Sequence, residues 1–164
     1  PAGIETFAEQ EAQTMKSMTT AEGIANTPDE QVRKNVAANF ASWSDDYAWL
    51  IEQRDSLRQR DDFMDYAEAN ARSVAGMLDA PVRDRLGEIE TRTLVLFGAG
   101  DKLIPNPFLH PNHTTESVAG EARQALPNAT VDLVDDAGHL LMLEQPAVFH
   151  ENLRNWLNDA EAGR

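Results

Sequence analysis

Two short apolar runs constrain this chain more than anything else in it. "TLVLFG", Thr93 to Gly98, and "ATVDLV", Ala129 to Val134, have the length and β-branched content of strands. A helical stretch from about Glu116 to Ala125 fills part of the connection between them. A closing helix from Pro146, "PAVFHENLRNWLNDAE", places Val148, Phe149, Leu153, Trp156 and Leu157 on one apolar face. Strand, helix, strand, helix predicts an α/β fold with a parallel sheet, because a connection of that length is a crossover rather than a hairpin. Thr93 to Phe97 is apolar at consecutive rather than alternate positions, as in a strand buried on both faces. Two such strands do not make a stable sheet alone, so this half of the chain expects neighbouring strands.

The first half reads as helices. In "NTPDEQVRKNVAANFASW", Thr27 stands where an N-cap belongs, Pro28 at the first helical position and Glu30 where it completes a capping box. Val32, Val36, Phe40 and Trp43 follow on one face. Ser44 is placed to cap a second helix carrying Tyr47, Leu50 and Ile51, and Phe63, Ala67, Ala71, Val74 and Leu78 mark a third. A weaker helix holds Ile4, Phe7, Met15 and Met18, and Pro81 and Gly87 bracket a last short helical segment. The composition therefore divides the chain into a helical part, residues 1–88, and an α/β part, residues 89–164.

The 164 residues correspond to one domain with a real core. A net charge of −14, with three lysines and eleven arginines, disfavours nucleic acid and anionic membrane as partners. Such an acidic, lysine-poor surface suits both salt-rich cytoplasm and an ordinary acidic bacterial enzyme. No apolar run approaches the roughly 18 residues of a membrane span, and "PAGIETFAEQEAQ" lacks the basic and apolar regions of a secretory signal, so the expected location is cytoplasmic. The chain has no cysteine, which removes disulfides, thiolate metal sites and cysteine nucleophiles.

Asp101 in "GAGDKLIP" and His139 in "DDAGHLLMLEQP" are the candidate functional pair. Alone, the first reads as a turn aspartate and the second as a structural histidine. Together they stand just past the C-terminal ends of two strands of one parallel sheet, where open α/β folds assemble their sites. A carboxylate there can accept the imidazole Nδ1 proton and leave Nε2 as a general base.

With "TLVLFGAGDKLIP", "LPNATVDLVDDAGHLLMLEQP" and "FHENLRNWL" in that order, residues from about 89 to 158 resemble the C-terminal third of the α/β-hydrolase fold. In that family the acid follows a strand in a Gly-x-x-Asp-x-x-x-Pro setting, matched by Gly98, Asp101 and Pro105. The histidine follows the last strand in Gly-His, matched by Gly138 and His139, with Glu144 and Pro146 downstream. The resemblance implies that residues 1–88 are the helical cap, or lid, inserted before the acid strand. It also implies a small, fairly apolar substrate with an ester, amide, epoxide or related bond, and neither cofactor nor metal.

One element of the family is missing. Its nucleophile stands in a Gly-x-Ser-x-Gly elbow, or an equivalent, ahead of the acid and the histidine. Ser17, Ser42, Ser44, Ser56, Ser73 and Ser117 all lack the flanking glycines, and no Gly-x-Asp-x-Gly is present. The chain thus resembles the last two-thirds of a hydrolase, holding a base and its orienter without the group they activate. Its sheet would be completed by a missing N-terminal half or by a second chain. The competing expectation is a non-catalytic, truncated hydrolase-like protein acting as a binding or assembly partner. A third is a self-sufficient α-rich domain in which the two strands recruit helices of the first half.

Other residues favour structural readings. His110 and His113 lie three apart in a Pro-crossed loop with no third ligand, which reads as a solvated loop. His150 reads as a surface residue of the closing helix. Tyr47 and Tyr66 resemble the cap tyrosines of epoxide hydrolases, yet packing explains them as well. Trp43, Trp49, Phe63 and Met64 are candidates to line a pocket between cap and core, and helical periodicity makes them packing residues too. Asp135 and Asp136 would raise the histidine's basicity if close, and otherwise form a solvated turn. Asp61, Asp62 and Asp65 suit the positive end of a helix dipole.

Overall fold

The structure is a computed structural model, and it describes residues 3–162. The chain forms two compact units, each built around its own contacts.

The helical unit comprises residues 3–37 and Trp43–Arg83. It contains α1 (Glu9–Met18), α2 (Ala21–Ala25), α3 (Asp29–Ala37), a 3₁₀ turn (Asp45–Tyr47), α4 (Ala48–Arg58) and α5 (Phe63–Asp79). α5 packs on α1 and α2, and α3 on α4. Ile4, Ala12, Val32 and Ala67 are buried, and Lys16 is ion-paired with Asp79. The apolar spacing anticipates α5 residue for residue. Ser44 caps as expected, its hydroxyl accepting the Asp46 N–H at 3.2 Å, although the element it opens is the 3₁₀ turn ahead of α4.

α3 differs from its sequence expectation at both ends. It begins at Asp29, and the Pro28 carbonyl accepts the Val32 N–H at 3.0 Å, so Pro28 takes the capping place. Thr27 turns back instead and donates its hydroxyl to the Gly23 carbonyl at 2.8 Å. Glu30, expected in a capping box, pairs forward with Lys34 at 2.7 Å. The helix stops at Ala37, so Phe40 and Trp43 do not continue its face. Phe40 is instead fully buried in the other unit, to which Ala38–Ser42 belongs.

That second unit consists of Ala38–Ser42 and the chain from Asp84 onward. After a 3₁₀ segment (Arg83–Glu88) come β1 (Thr93–Gly98), α6 (Thr115–Ala125), β2 (Ala129–Val134), α7 (Leu141–Glu144) and α8 (Pro146–Ala162). β1 and β2 pair in parallel, from Thr93 opposite Ala129 to Gly98 opposite Val134. This is an α/β fold: α6 covers the strands with Val118, Ala119 and Ala122, all buried. Val134, Ala137 and Leu141 form a cluster with Leu96 and Phe149 packed against it.

β1 was expected to be buried on both faces, but only Phe97 and Gly98 are fully buried, while Thr93 to Leu96 are half-buried. The sheet has two strands among the described residues, so β1 and β2 each have one edge outside the ladder.

Candidate active site

Parallel pairing brings the C-terminal ends of β1 and β2 to the same edge of the sheet, and the two loops that leave there are tied together. The Ala99 N–H donates to the Val134 carbonyl at 2.9 Å and the Gly100 N–H to the Ala137 carbonyl at 2.8 Å. Asp101 follows in the first loop, with only 4% of its side chain exposed. A buried carboxylate needs donors, and Asp101 has three. Its Oδ1 accepts the backbone N–H groups of Leu103 at 2.8 Å and Ile104 at 3.1 Å. Its Oδ2 faces His139 Nδ1 at 2.8 Å. A carboxylate that is ionised only accepts, and facing one, Nδ1 is the donor of this contact and Nε2 the ring nitrogen left free. The His139 side chain is 39% exposed, so the ring is held at one end and open at the other.

The loop that carries His139 is held from several sides. Asp136 makes the turn after β2 at a φ of 53°, and Ala137 is fully buried. A side chain on Gly138 would lie 2.5 Å from the Ala41 nitrogen and 2.8 Å from the Phe40 carbonyl carbon, so only glycine permits this approach. The Glu144 carboxylate accepts three backbone N–H groups: Gly138 at 2.6 Å, Ala41 at 3.2 Å and Ser42 at 3.1 Å. The Leu140 N–H donates to the Asn39 carbonyl at 3.1 Å, and Lys102 Nζ to the Ala41 carbonyl at 2.9 Å.

The sequence thus led to Asp101 and His139, which the fold brings into contact across 38 residues, and missed the Ala38–Ser42 segment, which reads as the end of a helix. The one local signal was Gly138 with Glu144 six residues on.

The remaining candidates lie elsewhere. Tyr66 stacks on Phe63 with ring centroids 5.7 Å apart, and its hydroxyl accepts from Arg54. Tyr47 meets Trp43 edge-on at 6.1 Å. Trp43, Trp49 and Met64 are exposed on the helical unit. His110 and His113 stack on each other at 5.3 Å, and among the described residues no group of three or more His, Asp or Glu gathers in a way that could hold a metal ion. His150 is exposed on α8, its ring against Phe149. Asp135 and Asp136 are exposed in their turn. Asp62 occupies the N-cap of α5 without a side-chain capping bond. The Arg60 guanidinium takes its carboxylate at 2.7 and 2.6 Å instead, and this bond holds the Asp62 carboxyl below the usual carboxylate range.

The family model that matches this sequence is that of the alpha/beta hydrolase family, over residues 14–152. The chain belongs to the alpha/beta hydrolase family. Solved structures agree on the fold. A thermophilic esterase is 25% identical with a TM-score of 0.60, covering 87% of this chain and 50% of its own. A serine hydrolase from the polyaromatic hydrocarbon-degrading bacterium Cycloclasticus zankles is 20% identical with a TM-score of 0.63, covering 98% and 53%. A probable hydrolytic enzyme from Pseudomonas aeruginosa PAO1 is 21% identical with a TM-score of 0.64, covering 95% and 50%. This hydrolase-family chain therefore spans about half the length of the solved structures it matches. No curated protein matches it. Among the described residues no helix is long and apolar enough to cross a membrane.

Proposed function

We propose that this chain carries the acid and the base of a hydrolase that cleaves an ester or related bond in a small, fairly apolar substrate, in the cytoplasm and without a cofactor. The observation that supports it is the 2.8 Å contact of His139 Nδ1 with Asp101 Oδ2, made by a carboxylate whose other oxygen is already bound to backbone. Asp101 fixes the ring and stabilises the imidazolium that forms. His139 Nε2 takes the proton of the nucleophile as it attacks the substrate carbonyl, then returns it to the leaving alcohol. In the second half-reaction Nε2 takes a proton from water, whose oxygen bonds to the acyl carbon. The bond from that carbon to the enzyme nucleophile breaks, and Nε2 returns the proton to the departing nucleophile, which restores the resting state. The nucleophile lies outside this chain's own motifs, on the polypeptide or partner that completes the sheet. Hydrolysis of p-nitrophenyl acetate and butyrate by the protein as its source makes it tests the reading. His139→Ala should remove turnover, and a variant as fast as the parent would end the assignment.

A second reading, a non-catalytic binding or assembly partner, draws support from the two strand edges outside the ladder and from the missing Gly-x-Ser-x-Gly. The intact mass of the native product separates the two. A longer polypeptide with an elbow ahead of Pro1 favours the enzyme, and an 18.2 kDa product eluting with a second protein favours the partner.

A further inference from the structure

Glu144 has no role in the reaction above, yet it is the carboxylate on which the histidine loop converges. Its Oε2 accepts from Gly138 and Ala41, and its Oε1 from Ser42. Two of these donors come from 103 and 102 residues away in sequence. The third, Gly138, immediately precedes His139. On the other side of the histidine, the Leu140 N–H is bound to the Asn39 carbonyl, so both neighbours of His139 are fastened to the same short segment, directly on one side and through Glu144 on the other. The close approach of Gly138 to Phe40 and Ala41 leaves that segment no room to slide. A carboxylate can take N–H groups at both oxygens, whereas an amide would turn one end into a donor facing a donor.

We propose that Glu144 is a positioning residue for His139: by clamping Gly138 to the Ala41 and Ser42 backbone it holds the imidazole on Asp101 in the Nδ1-protonated form. The kinetic consequence rests on the hydrolase reading above, whereas the consequence for the ring does not.

The test compares Glu144→Gln and Glu144→Asp with Val131→Ala, a change at a buried β2 residue away from the loop. Long-range ¹H–¹⁵N correlation on the native polypeptide reports which ring nitrogen of His139 carries the proton, and p-nitrophenyl butyrate hydrolysis gives kcat and KM. The parent should show the Nδ1-protonated ring. Glu144→Gln should show a mixture with the Nε2-protonated form and a kcat lower by about 10- to 100-fold, since small misplacements of a base cost that much, with KM little changed. Val131→Ala, however destabilised, should keep the parent ring. If Glu144→Gln does not fold, Glu144→Asp, which keeps the charge but not the reach, should show the same shift. A folded Glu144 variant with the parent's ring signals overturns the proposal, and so does an equal change in Val131→Ala. A parent without esterase activity counts against the hydrolase reading alone, and the ring signals then decide the role of Glu144.

Discussion

Asp101 and His139 meet through one carboxylate oxygen while the other is bound to the backbone. Oδ2 stands 2.8 Å from Nδ1, and Oδ1 takes the Leu103 and Ile104 N–H groups at 2.8 and 3.1 Å. The backbone bonds stop the carboxylate from rotating, so the ring is presented with a fixed acceptor. Such pre-set geometry matters because proton transfer depends on alignment before reaction begins.

Asp101→Asn separates these duties. Its amide oxygen still serves Leu103 and Ile104, but its NH₂ then faces Nδ1, which must become an acceptor, and the ring proton moves to Nε2. On the proposed mechanism the base is then lost with the fold intact. Hydrolysis should fall by about 10⁴-fold, as where a triad aspartate is changed in this way, with an unchanged far-UV circular dichroism spectrum. A rate close to the parent's would remove Asp101 from the mechanism.

Phe40 is fully buried although it belongs to no helix or strand. It lies in the segment that receives the histidine loop, beside Ala41 and Ser42. Phe40→Ala should cost about 3–5 kcal/mol, read as a lower urea midpoint or the loss of a cooperative transition. A midpoint equal to the parent's would mean that the segment is held by its polar bonds to Glu144, Leu140 and Lys102 rather than by the ring.

The parts of this molecule legible in its sequence are those set by local pattern. Phe63, Ala67, Ala71, Val74 and Leu78 delimit α5 because a helix must turn one face to its core. β1 and β2 follow from β-branched content and length, and Asp101 and His139 from their position after those strands. Residues 38–42 were not legible. Val32, Val36 and Phe40 keep helical spacing, yet Phe40 is buried beyond the end of α3, where the backbone N–H groups of Ala41 and Ser42 find Glu144 rather than helical carbonyls. A partner more than a hundred residues away leaves no trace in local periodicity. The half-exposure of β1 was equally out of reach, because an apolar run records the neighbours a strand is made for, whereas exposure records those it has.

Thr114 and Ser117 close the N-terminus of α6 reciprocally. The Thr114 hydroxyl accepts the Ser117 N–H at 3.1 Å, and the Ser117 hydroxyl accepts the Thr114 N–H at 3.0 Å. Thr114→Ala should cost about 1 kcal/mol, while Thr114→Ser should keep nearly all of that stability in chemical denaturation. Equal losses from both would mean that the methyl group, not the hydroxyl, contributes.

Three glycines separate close approach from mere flexibility. A side chain on Gly98 would meet the Ala137 carbonyl carbon at 2.7 Å and the carbonyl oxygens of Ala137 and Gly138 nearer still. All three are backbone atoms of the histidine loop and cannot swing aside. Gly98→Ala should therefore displace that loop, costing about 1–3 kcal/mol or more and, on the proposed function, lowering ester hydrolysis beyond what the stability loss explains. Gly76 and Gly120 stand inside α5 and α6 with nothing within 4 Å of an added Cβ. There an alanine removes only the freedom of the unfolded chain, and each change should stabilise by about 0.5–1 kcal/mol with activity unaltered. Urea midpoints measured beside ester hydrolysis for the three variants test the pattern. If Gly98→Ala behaved like the two helical changes, the tight contact between the acid and histidine loops would be wrong, and with it the geometry that joins Asp101 to His139.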